Sequence, residues 1–117
     1  MLKSLIKNFY RTGTELPETL GKLYSIFQNS PEGYWILNKE NALTLYKLVH
    51  QIQPKNILDL GSGIGASTSV LALAAHEGKT TGVEQFKKCI DIAEKLVPEH
   101  LLTKNKICPL RTSRFPK

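Results

Sequence analysis

Residues 56–65 read Asn56-Ile57-Leu58-Asp59-Leu60-Gly61-Ser62-Gly63-Ile64-Gly65. A short apolar run, bounded by Pro54 before and a glycine turn after, predicts a buried strand. Residues 67–75 follow as a helix whose Val70, Leu71, Ala74 and Ala75 can pack on a sheet, with Gly78 as its C-terminal cap. Lys79-Thr80-Thr81-Gly82-Val83 then predicts a second strand, with Glu84 at its end. Short strand–helix–strand connections imply parallel strands. Glycines at such a turn let the backbone come close to a ligand, and the next helix aims its N-terminal amides at the same place. An acid ending the second strand faces the same crevice and can accept ribose hydroxyls. The geometry predicts a nucleoside-containing ligand.

Working outward, Phe86, Cys89, Ile90, Ala93, Leu96 and Val97 form a helical stripe stopped by Pro98, and Lys106-Ile107-Cys108 starts a third strand. Upstream, Leu2, Leu5, Ile6 and Phe9 form one apolar stripe, and Leu16, Leu20, Leu23, Tyr24 and Phe27 form another. Asn29 to Gly33 is a loop. The aromatic pair Tyr34–Trp35 fits a core position better than the roof of a ligand pocket. Asn38 caps a helix in which Ala42, Leu45, Tyr46, Val49 and Ile52 share a face, ended by Pro54. The expected fold is α/β. It is a partial doubly wound parallel sheet preceded by N-terminal helices, with residues 1–55 helical and 56–117 forming the α/β unit.

Two ligand classes fit the turn. Gly61-x-Gly63-x-x-Ala66 satisfies the loose dinucleotide pattern, with Glu84 nineteen residues after Gly65. Asp59 argues against a dinucleotide such as NAD or FAD, because a carboxylate two residues before the first glycine repels a pyrophosphate. It suits a ligand carrying an amino group and a sulfonium. Asp59-Leu60-Gly61-Ser62-Gly63-Ile64-Gly65 resembles the first motif of the class I, Rossmann-like S-adenosylmethionine-dependent methyltransferases. Glu84 resembles their acid after the second strand. The resemblance covers residues from about Asn56 to Leu96. More loosely, residues 34–60 are similar to small-molecule O-methyltransferases of the caffeoyl-CoA and catechol type.

The resemblance implies S-adenosyl-L-methionine as cofactor and a small-molecule methyl acceptor. It implies that Asp59 holds the amino group of the methionine moiety. Gly61, Gly63 and Gly65 would let the cofactor lie against the loop, and Ser62 would offer backbone amides. Glu84 would bind the ribose and Gln85 would sit beside the adenine edge. Ser67 and Thr68 would reach the methionine carboxylate, although both also suit helix capping. The catalytic residues stay unknown, because the family places them after a fourth strand and the chain ends at Lys117. The family's acid near the third strand is also missing from residues 107–113. Without a fourth strand the first is left as an open, largely apolar edge, which leaves homo-oligomer formation through sheet edges open. A non-catalytic remnant acting as an interaction protein is the remaining alternative.

Composition sets the outer limits. With 117 residues, 41% hydrophobic and 22% charged, the chain is an ordinary small globular domain, and a disulfide scaffold or a disordered chain does not fit. The net charge is +6, and beyond Leu96 the chain carries Lys104, Lys106, Arg111, Arg114 and Lys117 against Glu99 alone. No aromatics alternate with these bases, so a solvated terminus is a better reading than a nucleic-acid platform. Cys89 and Cys108 show no metal or redox spacing, and no metal is expected. His50, His76 and His100 pair with no nucleophile or carboxylate at a useful spacing. With no apolar run of membrane-spanning length and no secretory signal, the expectation is a cytoplasmic protein without a membrane partner.

Overall fold

The computed structural model describes residues 16–102 and 105–109. The stripe at Leu2–Phe9 and most of the basic tail lie outside them. Helix α1 spans Glu18–Gln28 and α2 spans Lys39–Ile52, with a single 3-10 turn at Gly33–Trp35 between them. Strand β1 (Asn56–Leu60), helix α3 (Ala66–Ala75), strand β2 (Lys79–Glu84), helix α4 (Lys87–Leu96), a 3-10 turn (Glu99–Leu101) and strand β3 (Lys106–Pro109) follow. The sheet order is β1-β2-β3 and both pairings are parallel. Asn56 pairs with Lys79 and Leu60 with Val83, while Thr81 pairs with Lys106 and Glu84 with Pro109.

Local chemistry explains the helix ends. Pro17 supplies the fixed φ that starts α1 but sits at its N-cap, one position before the helix proper. Asn38 caps α2, its side chain accepting the Asn41 N–H at 2.8 Å. That helix ends not at Pro54 itself but at Gln53, which takes the left-handed conformation (φ 49°).

Helix α3 is buried on nearly every side and packs the other layers together. Its Val70 meets Leu20 and Tyr24 of α1 and Ala42 and Leu43 of α2. Leu71, Ala74 and Ala75 meet Val49. Ala66 and Ala72 join Leu23 and Phe27 to Cys89, Ala93, Val97 and Leu101. Small side chains on α3 permit this close approach of neighbouring helices. The expected α2 face is corrected in one place: Leu43 is buried and Ile52 is exposed.

Side chains alternate across a strand. On β2, Thr80, Gly82 and Glu84 are buried against the helices. The opposite face is bare. Leu58 and Leu60 are 63% and 73% exposed, so β1 is not the buried strand that its composition suggested. The reason is tertiary: β1 lies at the sheet edge, and the helices cover one face only. Among the described residues no strand pairs with the outer edge of β1. A buried Asn105 fixes the start of β2, accepting the Thr80 N–H at 2.7 Å and donating to the Leu101 carbonyl at 2.7 Å.

Candidate cofactor site

The carboxyl ends of β1 and β2 open onto a cavity of about 810 Å3. Trp35, Leu60, Gly61, Gly63, Val83, Glu84, Gln85, Phe86, Lys88 and Cys89 line it. Two of the loop glycines explain why a ligand can approach. Gly61 and Gly63 take positive φ (76° and 58°), and a Cβ added at either would meet nothing within 4 Å. Their open faces are backbone surface available for contact.

Glu84 organises this end of the sheet. It is only 6% exposed. Its Oε1 accepts the Gly63 N–H at 2.9 Å, and its Oε2 accepts the N–H groups of Gln85 at 3.0 Å and Phe86 at 2.9 Å. One carboxylate thereby ties the glycine loop to the start of α4. It offers roughly four lone-pair positions, so one is left for an outside hydroxyl.

Asp59 serves a different junction. Its Oδ2 accepts the hydroxyls of Ser67 at 2.7 Å and Thr68 at 2.8 Å, fastening β1 to the first turn of α3. Its Oδ1 accepts no hydrogen bond from the described residues. Ser67 and Thr68 therefore face the carboxylate of Asp59, whereas the resemblance implied that they face a ligand's carboxylate.

The seven residues singled out from the sequence divide by position. Gly61, Gly63, Glu84 and Gln85 line the main cavity. Ser62, with Gly61 and Gly63, lines a smaller adjoining cavity of about 210 Å3 that Trp35 also borders. Its hydroxyl is buried and has no partner among the described residues. Asp59 and Gly65 line neither. Gly65 is turned into the protein instead, where an added Cβ would lie 2.6 Å from Val97 Cγ2.

Three cavity residues stand where the sequence favoured no ligand role. Trp35 is 56% exposed and borders both cavities, contrary to the core position expected for it; Tyr34 lies edge-on against it at 5.0 Å. Phe86 is 61% exposed and forms the N-cap of α4, so it leaves the stripe to which periodicity assigned it. Cys89 is buried beside Glu84, and burial, with the Glu84 charge second, pushes its thiol pKa up. Both cysteines are free thiols. No group of three or more potential metal ligands occurs among the described residues. No helix of the described residues is long and apolar enough to cross a membrane.

A family profile described as "Histone methylation protein DOT1" matches residues 14–107. The chain belongs to this DOT1 family. Solved structures agree on the fold. The SAH-bound methyltransferase PaMTH1 of Podospora anserina superposes with a TM-score of 0.71 at 12% identity, over 94% of this chain and 49% of that one. An O-methyltransferase from Bacillus cereus, in complex with SAH, gives 0.66 at 22% identity over 82% and 45%. A methyltransferase from Geobacter sulfurreducens gives 0.66 at 14% identity over 92% and 57%. These likenesses identify the architecture as the class I, Rossmann-like methyltransferase fold. This DOT1-family chain spans about half the length of the first two structures. A comparison with curated protein sequences finds no match.

Proposed function

We propose that this DOT1-family chain binds S-adenosyl-L-methionine at the β1–β2 crevice and forms the cofactor-holding part of a methyltransferase. The observation that carries the reading is the pair of open-faced glycines, Gly61 and Gly63, held beside the Glu84 carboxylate over one cavity. The residues fit the cofactor on three counts. Glu84 has a free acceptor position for a ribose hydroxyl. Asp59 Oδ1 is available to an ammonium group. The unpartnered Ser62 hydroxyl lies next to the glycine surface. Bound there, the cofactor supplies a methyl group on a sulfonium centre. The chain's own part is to hold and orient it, since alignment of the two reactants is the main source of acceleration in such a transfer. Gln85, Phe86 and Trp35 line the same cavity and would flank the cofactor there.

For the acceptor, the family match over residues 14–107 favours a protein side chain, because the family is described by histone methylation. A small-molecule acceptor is the second reading, favoured by the likeness to the Bacillus cereus O-methyltransferase. Transfer of labelled methyl to a protein extract, against transfer to a catechol panel, separates the two. Among the described residues the cavity holds no acid besides Glu84 and no histidine, so no catalytic base is assigned.

Calorimetry tests the cofactor reading. S-adenosylhomocysteine is expected to bind, and NADH to give no heat. Asp59→Asn keeps an acceptor for Ser67 and Thr68 but loses the charge. It should weaken S-adenosylhomocysteine binding about tenfold, equivalent to about 1.4 kcal/mol. A folded chain that binds NADH and ignores S-adenosylhomocysteine would overturn the proposal.

A further inference from the structure

Glycine is a weak choice for the interior of a strand, because it loses the most conformational freedom on ordering and offers no side chain to pack. Gly82 nevertheless stands within β2, with Asp59 of β1 in register on one side and Ile107 of β3 on the other. Its backbone conformation does not call for glycine, since the described glycines with positive φ are Gly61, Gly63 and Gly65. Space calls for it. A Cβ added at Gly82 would lie 2.5 Å from Thr68 Oγ1, 2.9 Å from Ser62 Cβ and 3.1 Å from Ser62 Oγ. Thr68 and Ser62 are both buried.

Both neighbours are tied to the crevice by other bonds. Thr68 Oγ1 donates to Asp59 Oδ2 at 2.8 Å, beside the Ser67 hydroxyl at 2.7 Å. With two hydroxyls on one oxygen, the carboxylate is held so that Oδ1 is the oxygen left over. Ser62 belongs to the glycine loop, which is fastened to β2 just beyond Gly82. The Gly61 and Ser62 N–H groups donate to the Val83 carbonyl at 2.8 and 3.1 Å, and the Gly63 N–H donates to Glu84 at 2.9 Å. A side chain at residue 82 therefore meets a loop that is held in place and a threonine hydroxyl that can turn away. The hydroxyl yields, and Asp59 loses one of its two donors.

We infer that Gly82 is a positioning residue of the cofactor site. Its bare Cα forms the seat in which Thr68 lies, and Thr68 in turn sets the Asp59 carboxylate. Gly82 lines neither of the two cavities, so it acts through Thr68 and not on the ligand. This role rests on the proposed S-adenosyl-L-methionine site and gives β2 a second part in it, beside that of Glu84.

Calorimetry with S-adenosylhomocysteine, run as a double-mutant cycle on Gly82→Ala and Thr68→Ala, tests this role. Gly82→Ala should weaken binding about tenfold, as Asp59→Asn should. Thr68→Ala removes the atom nearest the new Cβ together with one bond to Asp59, and should weaken binding to a similar extent. The double variant should bind within about threefold of Thr68→Ala, because the hydroxyl that Gly82→Ala displaces is already gone. Circular dichroism confirms the fold of each variant at the temperature of the titration. A purely structural glycine would lower the urea midpoint and leave the affinity of the folded chain intact, which overturns the inference. Losses that simply add in the double variant overturn it too. If Gly82→Ala alone does not fold, the double variant should fold and bind like Thr68→Ala; a double variant that stays unfolded counts against the seat. Wild-type binding that Gly82→Ala leaves unchanged removes this role alone, whereas a wild-type chain that ignores S-adenosylhomocysteine removes the cofactor reading with it.

Discussion

Replacing Glu84 by glutamine tests whether one carboxylate holds the glycine loop to α4. The carboxylate accepts three backbone N–H groups at 2.9, 3.0 and 2.9 Å. Glutamine offers one oxygen. Left on Gln85 and Phe86, that oxygen forces the new NH2 toward the Gly63 N–H, donor against donor. One hydrogen bond to a charged group is lost, at about 1.5–3 kcal/mol. The other two weaken from charged to neutral, by about 1 kcal/mol each. Relief from burying a charge works the other way by roughly 1–2 kcal/mol. The expected net destabilisation is about 3 kcal/mol, a large part of the roughly 5–15 kcal/mol that holds a small domain folded. Urea unfolding followed by circular dichroism, without ligand, reads this directly. The midpoint should fall with the slope unchanged. A loss below about 1 kcal/mol would refute the reasoning, because it would mean that water satisfies the loop amides as well as Glu84 does.

Three further outcomes follow from the geometry. Gly65→Ala should destabilise more than Gly61→Ala, because both take positive φ (98° and 76°) but only Gly65 sets the new Cβ against Val97. About 1–2 kcal/mol is expected for Gly61→Ala from backbone strain alone, and a further 1–3 kcal/mol of overpacking for Gly65→Ala, both read from urea midpoints. Tyr24→Phe removes the 2.8 Å bond from the buried phenol to the Leu37 carbonyl, and unfolding measurements should show a loss of about 1–2 kcal/mol. Cys89 has a raised thiol pKa in the folded chain, so its contribution to stability is complete below the ordinary thiol range and is lost as pH rises through the folded value. Maleimide labelling followed by peptide mass spectrometry should accordingly find Cys89 slower than the half-buried Cys108 at neutral pH, and the gap should narrow on unfolding.

Much of this molecule is local in origin, and local features are legible in a sequence. The strand–turn–helix unit at residues 56–75 is set by an apolar run, three glycines and a helical period, all within twenty positions. The acid at Glu84 is readable for the same reason: the strand places it one crossover away, at the carboxyl end where crevices form in parallel sheets. Asn38 was legible because a cap acts on an amide three residues ahead. Trp35 and Phe86 were not. Hydrophobic character predicts burial, but whether a burying surface arrives depends on the neighbours, and at these positions the neighbour is a cavity.

The division is clearest at β1 and at the two acids. The sequence by itself determined that Asn56–Leu60 is a strand and that its carboxyl end carries the glycine turn. Only the tertiary structure decided that Leu58 and Leu60 stay exposed, because burial depends on whether a second layer covers that face and the helices cover the other. The sequence likewise marked Asp59 and Glu84 as charges near the crevice. Their partners, the hydroxyls of Ser67 and Thr68 for one and three loop amides for the other, are fixed by how the strand ends and helix starts meet in space. Hydrogen bonds act over about 3 Å, and chain connectivity does not specify distances that small between separate elements.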